Sequence, residues 1–139
     1  MNGKRALIIG IAALAIAAPS AQANARNSLQ PAHVFYGQVV SGQHPVRMLT
    51  LKNRSGHTWK LSAFKVAGAG GGIFTVVNRD GCRAGLSLKS GESCQFGVRV
   101  KATRLGWFRS VLRVCYTENG VKSSGFFGSA ELRAHVVAG

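Results

Sequence analysis

Acidic side chains are nearly missing from this chain. Of its 139 residues four are acids, Asp80, Glu92, Glu118 and Glu131, against 18 Lys and Arg, a formal charge of +14. Four acids scattered singly cannot supply a paired-carboxylate site. The excess of positive charge favours solubility and attraction to anionic partners. Histidine offers no substitute chemistry. His33, His44, His57 and His135 fall on separate segments without metal-ligand spacing, so no metal and no cofactor is expected. A triad of Cys115 with a histidine and an acid finds nothing that singles it out, and the chain is read as a protein that is not an enzyme.

Two further absences bear on architecture and compartment. No segment carries the 3.6-residue apolar spacing of an amphipathic helix, and no apolar run reaches the roughly 20 residues a spanning helix needs. The longest such run, Ala6 to Ala18, follows Lys4 and Arg5 and ends in Pro19-Ser20-Ala21-Gln22-Ala23, a small-x-small pattern. That order is the one a secretory signal peptide shows. Residues 1–23 are therefore expected to be a cleaved Sec-type signal, with Ala25 as the second choice for the cut and a retained anchor as the alternative reading. No cysteine follows the run directly, which argues against a lipid-anchored N-terminus. Removing residues 1–23 leaves 116 residues with 16 Lys and Arg against the four acids, a formal +12. That length is one domain with a modest core.

What is present after the signal is short-period alternation. Residues 24–31 read as a flexible polar leader ended by Pro31, and residues 32–139 as one β-sandwich. Strands are expected at His33–Val40, Val46–Asn53, Thr58–Val66, Ile73–Val77, Ser93–Lys101, Trp107–Thr117 and Val121–Val137, the last broken at Gly125 or Gly128. Gly, Asn and Ser punctuate them at roughly ten-residue spacing. Seven short strands predict an all-β fold, an immunoglobulin-like seven-stranded β-sandwich. The alternation is clean in three places. Cys94, Phe96, Val98 and Val100 are apolar against Gln95, Arg99 and Lys101; Ala130, Leu132, Ala134 and Val136 against Glu131, Arg133 and His135. Phe108, Leu112, Val114 and Tyr116 point one way, Arg109, Val111, Arg113 and Cys115 the other. A phase break at Ala63-Phe64 predicts a bulge.

Two motifs have plainer readings than their patterns suggest. Gly68-Ala69-Gly70-Gly71-Gly72 lacks the Lys and Ser or Thr of a phosphate loop and joins two predicted strands, which makes it an inter-strand loop. Asn53-Arg54-Ser55 fits the glycosylation sequon, and equally fits a turn that closes a strand.

Several residues together resemble a known family. Phe35-Tyr36-Gly37-Gln38-Val39-Val40-Ser41-Gly42, then Leu51-Lys52-Asn53 with Gly56, then Cys82, then Leu88-Lys89-Ser90-Gly91-Glu92-Ser93-Cys94, and Gly106 through Leu112 to Val114, follow in order. This succession resembles the choice-of-anchor D type of bacterial immunoglobulin-like domain, of the Hydin-like and PapD-like sandwich superfamily. The resemblance covers nearly all the chain after the signal. It implies an exported sandwich used for attachment and assembly, with no shared active site. It also implies which cysteines pair. Three cysteines allow three single bridges; the family carries the pair corresponding to Cys82 and Cys94, and the 11 residues between them are rich in Gly and Ser and able to fold back. Cys115 is then a packed free thiol or an intermolecular one.

The basic residues are the remaining candidate for function. Arg99, Lys101, Arg109, Arg113 and Arg133 occupy outward strand positions and are expected to share one sheet as a positive face. Phe126-Phe127 is an apolar knob, either core or an exposed docking edge. The aromatics Trp59, Trp107, Phe126 and Phe127 do not interleave with arginine along the chain, which weighs against nucleic acid. Two functions follow. The first is a non-enzymatic exported interaction or structural module of an envelope or cell-surface assembly, periplasmic or extracellular, docking other envelope or surface proteins through a sheet edge or the basic face. The alternative is a stand-alone polyanion binder outside the cytoplasm, taking anionic lipid, cell-wall polymer or nucleic acid. No transmembrane segment is expected in the chain after the signal.

Overall fold

The structure is a computed structural model that describes residues 28–77, 79–121 and 127–139; the expected signal peptide and Phe126 lie outside the described residues. Nine strands run in chain order: β1 (Leu29–Gln30), β2 (His33–Val40), β3 (Val46–Lys52), β4 (Trp59–Ala67), β5 (Phe74–Val77), β6 (Ser87–Leu88), β7 (Ser93–Val100), β8 (Gly106–Glu118) and β9 (Phe127–Val137). They form two sheets, ordered β1-β3-β7-β5 and β2-β9-β8-β4-β6. All pairings are antiparallel except that of β2 with β9, which run parallel. The described residues contain no helix long and apolar enough to cross a membrane.

The seven expected strands are all present, six of them with ends that match to within one residue. The last of them begins at Phe127, while Val121 makes an isolated bridge with Glu118. Two strands were not legible. β1 and β6 have two residues each, too few for a period of two to repeat. β1 also corrects the expectation of a flexible leader for its last residues, 28–31; residues 24–27 lie outside the described residues. Leu29 is fully buried, pairs with Leu51, and the Ser28 carbonyl accepts from Lys52 N at 2.9 Å. An isolated leucine in a polar stretch gives no sequence signal, but the sandwich has a slot that its side chain fills.

The core follows the alternation. Cys94, Phe96, Val98 and Val100 of β7 and Ala130, Leu132, Ala134 and Val136 of β9 are buried, as are Leu112 and Val114 of β8. Each large apolar side chain taken from water contributes about 1.5–3 kcal/mol. Phe64 of one sheet meets Phe96 of the other edge to face at 5.2 Å, and Tyr36 Oη of β2 donates to the Val98 carbonyl of β7 at 2.6 Å. Burial therefore raises the Tyr36 pKa, against the opposing charge of Arg47. Trp59 stacks on Tyr116 at 3.9 Å; burial, assisted by the Glu118 charge, pushes that phenol up to about 12. The expected bulge lies between Leu61 and Ala63, and a second one between Phe35 and Gln38 holds Gly37 at φ 66°.

Two loops are locked by side chains. Cys82 and Cys94 form a disulfide, with Cα atoms 5.2 Å apart, and the bridge ties the 79–86 excursion to the first turn of β7. Asn53, the first residue of the sequon, is fully buried. Its Nδ2 donates to the His57 and Leu88 carbonyls at 2.7 and 2.8 Å, and its Oδ1 accepts from Ser55 N at 3.0 Å and from Ser55 Oγ at 2.8 Å. With both its amide hydrogens and its oxygen engaged, Asn53 closes a turn and is not a glycosylation acceptor in the folded chain.

Candidate interaction face

Strand phase builds the site. In β8 Ser110, Leu112 and Val114 point into the core, so Trp107, Arg109, Val111, Arg113 and Cys115 point out; in β9 the buried even positions send Ser129, Glu131, Arg133 and His135 out. Antiparallel register then sets these residues opposite one another in rows. Trp107 faces His135, Arg109 faces Arg133, Val111 faces Glu131, Arg113 faces Ser129 and Cys115 faces Phe127. The neighbouring strands extend the rows: Phe35 of β2 lies beside Arg133, and Lys65 of β4 lies opposite Arg113.

The upper rows are aromatic and cationic together. Trp107, 80% exposed, stacks on the His135 ring at 3.8 Å and 7°. Arg133 lies over the exposed Phe35 ring at 5.4 Å, and Arg113 over the Phe127 ring at 4.6 Å. Two shallow clefts flank Trp107. One, of about 200 Å³, lies toward Phe35, Gly37 and His135, and the other, of about 340 Å³, toward Phe108, Arg109 and Arg133.

Charge on this face is arranged against its own repulsion. Arg109 and Arg133 are like charges directly opposite each other, which by itself destabilises a sheet. Glu131 sits between them. Its Oε2 accepts from Arg109 Nη2 at 2.7 Å and Nε at 3.1 Å, its Oε1 forms an ion pair with Arg133 Nε at 2.7 Å, and His33 Nδ1 is 3.8 Å away. Burial opposes ionisation of this carboxyl, but the Arg109 hydrogen bond and the charges of Arg109, Arg133 and His33 outweigh it and hold the pKa below the usual carboxylate range. The second like-charge pair, Lys65 opposite Arg113, has no carboxylate between its members among the described residues.

The expected basic face is thus partly corrected. Arg109, Arg113 and Arg133 share the outer face of the five-stranded sheet. Arg99 belongs to β7 of the four-stranded sheet, where it faces Val46 and Thr75, and Lys101 follows the end of that strand. Alternation tells inward from outward, but it does not say to which sheet a strand belongs. Aromatics and arginines that are not interleaved along the chain are interleaved across it, because register brings Phe35 and Phe127 to the guanidinium groups of Arg133 and Arg113. Cys115 is a free thiol, half-buried on the same face. Phe127 opens β9 and is half-buried. The described residues hold no group of three or more His, Cys, Asp or Glu able to bind a metal.

The two stacked sheets form an immunoglobulin-like sandwich, and solved structures that include PapD-like domains share the fold. The PapD-like domain 7 of human CEP192 matches with a TM-score of 0.55 and 11% identity over 82% of this chain and 89% of that one. The periplasmic chaperone SfaE matches with a TM-score of 0.55 and 12% identity over 78% of this chain and 58% of that one. The VesB protease of Vibrio cholerae matches with a TM-score of 0.62 and 18% identity over 84% of this chain. This chain spans 34% of the length of that protease. At such identities the likeness is one of fold. No protein-family model matches the chain, and no curated protein matches it.

Proposed function

We propose that this protein is a non-enzymatic, exported interaction module of the choice-of-anchor D type, which docks an anionic envelope or surface partner on the outer face of its five-stranded sheet. One observation carries the reading. The like-charge pair Lys65 with Arg113, which no carboxylate bridges among the described residues, stands on one face with the Glu131-bridged pair Arg109 and Arg133 and an 80% exposed tryptophan. Folding does not call for that arrangement, since opposed like charges and exposed indole both work against stability and solubility. An anionic partner offsets the repulsion and covers the ring. The disulfide is consistent with an oxidising compartment, and residues 1–23, read as a secretory signal, support a periplasmic or cell-surface location.

The second reading, a stand-alone polyanion binder, draws on the same uncompensated pair Lys65 and Arg113. Native pull-down at 1 M salt separates the two, because a Debye length of about 3 Å removes purely electrostatic adhesion. A stoichiometric envelope protein retained at that salt supports the assembly. Release of every partner together with steep salt dependence on heparin supports the polyanion binder. If binding to neither partner changes in the Arg109→Gln/Arg133→Gln/Arg113→Gln variant, this face is not the docking surface.

A further inference from the structure

We infer that the face around Trp107 is a saccharide platform, and that its ligand is a chain of pyranose rings carrying carboxylates. The inference rests on the anion-docking reading of the same face and names the chemistry of its partner.

The geometry of Trp107 separates ring recognition from charge attraction alone. Its indole is backed by His135 at 3.8 Å, nearly parallel, so the ring is held in place before anything binds. Preorganisation of this kind reduces the ordering cost of association. At 80% exposure the rest of the indole is open. A flat, rigid apolar surface suits the flat C–H face of a pyranose; a flexible acidic side chain offers no such face. The clefts on the two sides of Trp107 are shallow and open, one toward Phe35 and the other toward Arg109, each lined in part by Arg133. Successive rings of one chain fit such a pair, whereas a small molecule is usually enclosed.

The cations stand where ring carboxylates would reach them. Arg109 donates to Glu131 through Nε and Nη2, and Arg133 is ion-paired with it through Nε, which leaves Nη1 of Arg109 and both Nη groups of Arg133 for a ligand. Glu131 therefore fixes the two guanidinium groups without exhausting them. Arg113 and Lys65 form a second cationic row four residues further along β8, about 13 Å away at strand rise. A saccharide with a carboxylate on every ring meets both rows in any register. The disulfide is consistent with an oxidising, extracytoplasmic space, away from most nucleic acid.

The test titrates the purified protein with three probes at low salt, a galacturonate hexamer, poly-glutamate of matched charge and an oligo-dT strand, following tryptophan fluorescence and heat. Trp59 is buried, so a fluorescence response reports Trp107. The expected result is saturable hexamer binding with a change in Trp107 emission, at least about tenfold tighter than poly-glutamate, a difference of about 1.4 kcal/mol. Trp107→Ala should weaken hexamer binding by about tenfold or more and leave poly-glutamate binding unchanged; Arg109→Gln/Arg133→Gln should weaken both. Trp107 packs outside the core, and an unchanged thermal melt certifies the variant. Equal binding of hexamer and poly-glutamate, each indifferent to Trp107→Ala, overturns the saccharide platform but leaves anion docking standing. Oligo-dT bound more tightly than the hexamer overturns it in favour of nucleic acid. Binding of all three unchanged by the arginine substitutions overturns the docking reading itself.

Discussion

Asn53 Nδ2 donates a 2.8 Å hydrogen bond to the carbonyl of Leu88, 35 residues further along the chain. Through that amide the end of β3, the turn at Ser55 and His57, and the short strand β6 are joined at one buried point. The Asn53 backbone adds to it, donating to the Glu92 carbonyl and accepting from Gly91 N. Asn53→Ala removes the side-chain donor from the buried Leu88 carbonyl and the acceptor from Ser55, at about 1–3 kcal/mol for a buried group left unmatched. A loss of about 2–3 kcal/mol in urea unfolding is expected; a loss below about 0.5 kcal/mol would show that water replaces the amide.

The disulfide makes a separable contribution. Closing a loop of this length is worth about 3 kcal/mol in the chain-entropy account. The Cys82→Ala/Cys94→Ala variant should unfold at correspondingly lower urea and should lose the response to reductant that the wild type shows. Equal midpoints for oxidised and reduced wild type would contradict this.

Gly81 precedes Cys82 and lies against the backbone of β7. A Cβ at this position would stand 2.6 Å from the Gln95 carbonyl oxygen, while one at Gly56 meets nothing within 4 Å. Gly81→Ala should therefore lower the melting temperature by several degrees, roughly the effect of 1–2 kcal/mol on a domain of this size. Gly56→Ala should change it little.

Glu131 sets an acid limb of stability. Its folded pKa is held below the unfolded value of 4.5. Stability from this group is therefore complete above pH 4.5 and is lost as pH falls through the folded pKa. Between pH 5 and 8 no change from Glu131 is expected. Glu131→Gln should lower stability in that plateau, because Arg109 and Arg133 then face each other uncompensated, and should flatten the acid limb. An unaltered pH profile in the variant would remove Glu131 from the account.

Cys115 is the free thiol of the three cysteines. Alkylation of the native, unreduced protein should add one label, at Cys115, and mapping by mass spectrometry checks it. Two labels at Cys82 and Cys94 would contradict the disulfide.

Legibility differed by scale. The seven long strands were readable because each repeats a period of two several times, as in Cys94 to Val100 and Ala130 to Val136. β1 and β6 were not, being two residues long and stabilised by partners far off in sequence. The face was readable only in part. Arg109, Arg113, Arg133 and Cys115 were placed outward by phase, and the same phase carried one step further reaches Trp107. Phe35, Lys65 and the role of Glu131 depend on register between β2, β9, β8 and β4, which no local pattern encodes. Arg99 and Lys101 were set in the wrong sheet for the same reason.

The sequence by itself determined the all-β class, the inward and outward faces of β7, β8 and β9 and the strongly basic balance, because these depend on composition and on neighbours a few residues apart; the cysteine pairing came from the family resemblance. Only the tertiary structure decided that Trp107 stacks on His135, that one carboxylate serves Arg109, Arg133 and His33, and that Asn53 is a buried tie and no sugar acceptor. Those relations join residues tens of positions apart, and their geometry is set by sheet order and register, which emerge when the two sheets close over a common core.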